Sequence, residues 1–213
     1  MLTADVHAFV RASLPRPPAR VLEVGAGDGE LAAALATAGY DVVAIDPAAD
    51  RPHVRPVALH ELDEPDGSFA AAVAVVSLHH VEPLAQSCER LAALLAPDAP
   101  LVVDEFDVAA YDETAARWWL DRGDHDHDHD PAEVVATLRE HLHPLARITA
   151  ELERFFAVGE PVRGPYLYRW EIGLEWRHDE EQAIAAGALS ATGARFIARR
   201  GSPAPSAPHT PPA

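Results

Sequence analysis

Residues 21–30 read VLEVGAGDGE and set Gly25, Gly27 and Gly29 between an apolar run and the start of a helical pattern. Glycines at such a turn let the backbone pass close to a ligand, because a side chain would occupy the ligand's volume. The first amides of the following helix add free donors. Asp46 ends the next apolar run, 17 residues beyond Gly29. A carboxylate there can accept hydrogen bonds from both ribose hydroxyls of an adenosine. An aspartate before proline, here Pro47, is also a common turn starter.

Two cofactor classes share that layout. The dinucleotide fingerprint G-x-G-x-x-G requires a glycine at position 30, where this chain has Glu30. A carboxylate beside a pyrophosphate is electrostatically unfavourable, and G-x-G-x-G flanked by Asp28 and Glu30 suits a ligand without phosphates. S-adenosylmethionine is such a ligand, with an adenosine, a cationic sulfonium and an amino-acid zwitterion. Glu23 and Asp28 would stabilise its positive groups.

Three ordered segments extend the pattern. VVAIDP follows the glycine turn, DGSFAAAVAVVSLHHVEP occupies 66–83, and ERLAALLAPDAPLVVDEF occupies 89–106. With VLEVGAGDG they resemble, in the right order over residues 20–106, the motifs of class I S-adenosylmethionine-dependent methyltransferases, in a type 11-like domain. Ala70 stands where that family usually has aspartate, and ALHELDEP replaces the usual adenine-side acidic segment. The resemblance implies transfer of a methyl group to a small-molecule acceptor. It assigns Glu23, Gly25, Ala26, Gly27, Gly29, Asp46, Glu61 and Ser77 to the cofactor, Glu61 as the adenine-side candidate. His79 and His80 follow the fourth strand, where open α/β sheets place ligands. A histidine titrating near neutrality suits removal of a proton from a hydroxyl or ammonium acceptor. His80 is the first candidate base and His79 the second, with packing or backbone bonding the alternative for one of them.

Trp118, Trp119, Tyr166, Tyr168 and Trp170 concentrate where regular alternation has stopped. Core packing accounts for some of these rings. In the family, segments after the fifth strand build the acceptor pocket, so Tyr166 and Trp170 are expected to wall it. Asp104 and Glu105 either border that pocket or serve a turn. The run DHDHDHD at 124–130 invites a metal assignment, but a hydrophilic loop lacks a rigid second shell. A solvated loop is the expectation, and no metal is assigned.

The elements that must position these residues follow from periodicity. Helices are expected over 3–14, with Thr3 as N-cap, and after the glycine turn, where Leu31, Leu35 and Ala38 recur at helical spacing. Strands are expected at 20–24, 42–45, 54–59, 69–76 and 101–103. The stripe Val81, Leu84, Cys88, Leu91 and Leu95 reads as a helix with Cys88 in the core. Helices at 112–120, 131–142, 145–154 and 178–186 and strands at 155–158 and 194–199 complete the pattern. The resulting fold class is α/β: a Rossmann-like, doubly wound, mostly parallel sheet of seven strands with helices on both faces. Residues 1–200 form one domain, with a cofactor-binding half at 20–106 and a variable acceptor-side and lid region at 107–170. Five prolines in residues 201–213 mark a disordered tail.

Composition removes several classes. The formal charge of −17 opposes a polyphosphate surface, so nucleic acid is not the expected acceptor. All 17 basic residues are arginine, which excludes a lysine Schiff base, a phosphate-loop lysine and a tyrosine–lysine hydride pair. No apolar run approaches the roughly 20 residues that span a bilayer. No secretory signal is read, Cys88 has no internal disulfide partner, and a cytoplasmic enzyme without a membrane partner is expected. Two alternatives stand beside this reading: a nicotinamide-dependent oxidoreductase, and a non-catalytic cofactor- or metal-binding protein.

Overall fold

In a computed structural model, which describes residues 2–123 and 129–201, one mixed sheet runs through the chain. Its strands are β1 (Arg20–Val24), β2 (Asp41–Ile45), β3 (Val54–Arg55), β4 (Ala71–Val75), β5 (Pro100–Phe106), β6 (Phe156–Val158), β7 (Val162–Gly164) and β8 (Gly193–Arg200). The order is β3-β2-β1-β4-β5-β8-β6, with β7 also paired to β8. The first five strands are mutually parallel, and β8 runs antiparallel to β5, β6 and β7.

The strand residues alternate between two cores, as a pleat with period two requires. Leu22, Val24, Ala72, Ala74, Leu101 and Val103 join one cluster with α3 (Leu84–Leu94) and α6 (Leu145–Glu153). Val21, Ala71, Val73 and Val102 join the other with α1 (Ala4–Ser13) and α2 (Glu30–Thr37). Covered on both faces, these strands are mostly apolar, and β4 is an unbroken apolar run. Cys88 lies in the first cluster, and burial pushes its thiol up to about 12. That thiol is packing material.

Four local expectations change. The third strand shrinks from 54–59 to Val54–Arg55, because Pro56 has no amide to continue the ladder. The fifth lengthens to Pro100–Phe106 through its pairing with β8. The sheet has eight strands rather than seven. Its far edge is split by Gly159, Glu160 and Pro161, where a side chain at Gly159 would meet the Ile197 carbonyl at 2.8 Å. Thr3 occupies the N-cap position of α1 without capping it; its hydroxyl donates instead to Asp5 at 2.6 Å.

A third cluster covers the ends of β4 and β5. It gathers Phe106, Tyr111, Trp119, Tyr166 and Trp170 from β5, the loop after it, α4 (Glu113–Leu120) and the segment before α7 (Arg177–Ala185), with α5 (Pro131–His141) packed beside them. Residues 124–128 and 202–213 lie outside the described residues, and with them most of the Asp/His run and the proline-rich tail. Within the remainder of that run, Asp130 caps α5 by accepting from the Ala132 amide.

Candidate active site

The glycine turn follows β1 and is pinned to the end of β2. Gly25 and Ala26 both donate to the Ile45 carbonyl, at 2.9 and 3.0 Å. All three glycines have positive φ, at 68°, 53° and 79°. Their surroundings differ. A Cβ on Gly25 would meet Ser77 Cβ at 2.3 Å, and one on Gly29 would meet His53 at 2.3 Å, whereas one on Gly27 would enter open space. Packing against Ser77 therefore excludes a side chain at Gly25, one at Gly29 would displace the His53 ring, and of the three only Gly27 faces free volume.

Asp46 joins the two motifs. One carboxylate oxygen accepts from the Gly27 amide at 3.0 Å, and the other accepts from the Ala48 amide at 2.9 Å. It thus combines the turn-starting role with a hold on the glycine loop. Asp46 also lines a cavity of about 480 Å³, with Ile45, Val57, Leu59, Ser77 and His80. Glu61 does not line it; its side chain is 65% exposed beside His60. The apolar part of that segment, Val57 to Leu59, forms the wall instead.

A second cavity of about 240 Å³ lies beyond Gly25 and Val76, which line both spaces. Its lining carries Glu23, Asp28 and Glu30, with Ala26, Gly27 and Arg169. Glu23 is 4% exposed, and its Oε2 has no hydrogen-bond partner. Burial, reinforced by the Asp28 charge, raises its pKa to about 8. Three carboxyl groups facing one guanidinium suit a ligand bearing an ammonium and a carboxylate. Val76, between the cavities, holds φ at 52°, a strained value for a β-branched residue. Its amide donates to the Asp104 carbonyl at 2.7 Å.

The loop after β4 makes a single 3₁₀ turn, Leu78–His80. Glu105, fully buried, anchors it by accepting from the amides of Ser77 at 2.8 Å, Leu78 at 2.6 Å and Phe106 at 2.9 Å. Its Oε2 also lies 2.6 Å from Nδ1 of buried His79. The turn delivers His80 to the wall of the larger cavity. Partial desolvation, then the adjacent His79, holds the His80 pKa below the usual histidine value, so its ring is neutral and can accept a proton near pH 7. The Ser77 hydroxyl, buried in the same wall, has no partner.

Tyr166 and Trp170 belong to the aromatic cluster. Tyr166 stacks on Phe106 with centroids 4.9 Å apart, and Trp170 stacks on Trp119 at 4.4 Å. Neither lines the two cavities beside the glycine turn; Trp170 borders a separate space of about 360 Å³ between α4 and α5. Asp104 is ion-paired to Arg169 at 2.7 Å and to Arg195. Neither Arg169 nor Glu180, which holds the turn before it, stands out in the sequence. No local pattern marks either, because Glu180 acts on a turn 12 to 14 residues earlier. Among the described residues, no group of three or more His, Cys, Asp and Glu could hold a metal ion.

A doubly wound sheet with β8 reversed, a glycine turn after β1 and a carboxylate after β2 defines the fold of class I methyltransferases. Residues 3–129 match the family model described as a methyltransferase domain, and the chain belongs to that family. A ubiquinone biosynthesis O-methyltransferase of Rhodopseudomonas palustris (strain HaA2) is 28% identical, over 73% of this chain and 66% of its own. This chain spans just under two thirds of the length of the Rhodopseudomonas relatives it matches. Among solved structures, an S-adenosylmethionine-dependent methyltransferase from Mesorhizobium loti aligns with a TM-score of 0.62 at 17% identity, covering 93% of this chain and 98% of that one. The Burkholderia thailandensis 1,6-didemethyltoxoflavin-N1-methyltransferase, solved with bound 1,6-didemethyltoxoflavin and S-adenosylhomocysteine, aligns with a TM-score of 0.58 at 20% identity, covering 93% of this chain and 78% of that one. These two show the shared fold.

Proposed function

We propose that this protein is an S-adenosylmethionine-dependent methyltransferase acting on a hydroxyl of a small molecule. The observation that carries the cofactor assignment is the pair of cavities meeting at Gly25 and Val76, one apolar and bordered by Asp46, the other charged and bordered by Glu23, Asp28 and Arg169. The apolar cavity suits an adenosine, whose ribose hydroxyls would donate to lone pairs that Asp46 retains. The charged one suits the amino-acid end: Glu23 and Asp28 receive the ammonium, and Arg169 receives the carboxylate. Gly27 leaves the volume between them free, and Ser77 offers an unused hydroxyl.

When bound, S-adenosylmethionine supplies a methyl group already activated on a sulfonium. The protein's remaining tasks are alignment and removal of the acceptor's proton. His80, on the cavity wall, takes that proton. His79 and Glu105 hold the turn that positions it. The hydroxyl reading rests on this base and on the O-methyltransferase relatives. Glu30 at the third-glycine position speaks against a nicotinamide cofactor. Among the described residues no helix is long and apolar enough to cross a membrane, and we place the enzyme in the cytoplasm.

The test follows label from methyl-tritiated S-adenosylmethionine into a panel of phenols and catechols. Transfer is expected to at least one, and Gly27→Val, which fills the free volume, is expected to abolish it. Label that stays on the cofactor with every hydroxyl acceptor but moves to amines would contradict the hydroxyl assignment.

A further inference from the structure

Beyond the cofactor cavities, a cleft of about 210 Å³ opens between α1, β7, β8 and the start of α7. Arg163, Arg169, Arg177 and Arg195 line it, against the carboxylates of Asp5 and Asp104. The chain carries a net charge of −17, yet four of its 17 arginines meet here, and cations outnumber anions in the lining four to two.

Ion pairs explain part of the gathering. Arg195 bonds Asp104 and Asp5, Arg177 bonds Asp5 and Glu181, and Arg163 bonds Asp107 at 2.6 Å. Rings support the guanidinium groups as well: Arg177 lies over Tyr168 at 5.6 Å and Arg195 over Phe9 at 5.6 Å. These pairs use one nitrogen of Arg163 and two each of Arg177 and Arg195, and a guanidinium carries five N–H donors on three nitrogens. The network leaves a cavity among its charged heads. Arg163 and Arg177 remain 45% and 41% exposed at its mouth.

We propose that this cleft binds the carboxylate of a small organic acid. The planar group matches the guanidinium forks. With Asp107 and Glu181 counted, four guanidinium groups meet four carboxylates, and a network so near balance suits one negative charge better than a phosphate dianion, whose extra oxygens would also face Asp5 and Asp104. Arg169 forms a wall of both this cleft and the charged cofactor cavity, so the bound acid sits across one guanidinium from the cofactor. The acid is either the methyl acceptor itself or a separate small molecule; the chemistry of capture is the same.

Calorimetric titration of the full chain with benzoate, with benzamide as its uncharged match, tests the assignment. Benzoate is expected to bind with a Kd below about 1 mM and benzamide at least about tenfold more weakly. Arg163→Gln and Arg177→Gln, both on exposed side chains, are each expected to weaken benzoate about fivefold or more while S-adenosylhomocysteine affinity stays within about twofold. Repeating the titration with S-adenosylhomocysteine present separates the two sources. Tighter benzoate binding points to the acceptor's carboxylate and unchanged binding to a separate acid, and both support the cleft. Equal affinity for benzoate and benzamide, undiminished binding in both variants, or phosphate binding more tightly than benzoate would overturn the proposal. Intact S-adenosylhomocysteine binding in those cases would leave the methyltransferase reading standing.

Discussion

Two turns in this molecule are built alike and used differently. The loop after β4 enters its 3₁₀ turn through Ser77, at φ −136° and ψ −36°; the segment after β7 enters its own through Tyr166, at φ −142° and ψ −35°. In each, a fully buried glutamate gathers the amides at the start of the turn. Glu105 takes Ser77 and Leu78; Glu180 takes Tyr166, Leu167 and Tyr168 at 2.7, 3.0 and 2.8 Å. In each, the third residue of the turn lines a cavity and carries the side chain to which we assign a role, His80 in one case and Arg169 in the other. The difference lies in what else the carboxylate holds. Glu105 spends an oxygen on the His79 ring, while Glu180 binds backbone at all three sites. A buried carboxylate is costly to desolvate, and several amide donors are what make it tolerable. The fold has used that exchange twice to hold a short turn still beside a cavity.

The largest expected effect removes a clamp. Glu180→Ala strands three buried amides and is expected to cost at least about 3 kcal/mol in denaturant unfolding, with Glu105→Ala of similar size. A loss under about 1 kcal/mol in either would break the likeness between the turns. Next comes the side chain each turn delivers. His80→Ala is expected to lower kcat about 100-fold or more, with S-adenosylhomocysteine affinity within about threefold. Near-normal turnover would reduce the first turn to scaffolding. Arg169→Gln is expected to act in the opposite sense, weakening S-adenosylhomocysteine about tenfold by loss of a carboxylate partner. If binding were unchanged, the second turn would serve architecture alone.

The smallest effect is a slope against pH. Glu23 has its pKa raised from 4.5 to about 8, chiefly by burial. Between those values the folded, ligand-free chain keeps a proton that the unfolded chain gives up. Stability therefore falls as pH rises through that window and levels off above about 8. An ammonium in the cavity favours the ionised form, so S-adenosylhomocysteine binding at pH 7 is expected to release part of a proton and to strengthen toward pH 8. Glu23→Gln should flatten both dependences. Calorimetry in buffers of different ionisation enthalpy, with unfolding followed at several pH values, reads them directly.

The contrast between the turns also shows what a linear reading reaches. The first half of the site lies in contiguous motifs: the glycine turn, Asp46 and the histidine pair each sit within a few residues of a strand end, where apolar runs mark their place. The parallel strands, covered on both sides, were legible for the same reason. Glu61 lies outside the cavity lining, and in a segment of one short 3₁₀ turn an exposed acidic residue and a cavity-lining one look alike in sequence. Arg169 and Glu180 had no such marker. Their pairing depends on α7 returning against a turn 12 to 14 residues behind it, and α7 has few buried residues to announce a face. Tyr166 and Trp170 stand out in the sequence as rings where regular alternation stops, but Phe106 and Trp119, on which they stack, lie more than 50 residues earlier in the chain.

The central claim is that the two cavities joined at Gly25 and Val76 hold S-adenosylmethionine. Calorimetric titration of the protein with S-adenosylhomocysteine and, separately, with NAD tests it most directly. One molecule of S-adenosylhomocysteine per chain at micromolar affinity, weakened about tenfold in Asp46→Ala, with no heat from NAD, is the expected result. Silence with millimolar S-adenosylhomocysteine, together with saturable heat from NAD, would contradict it.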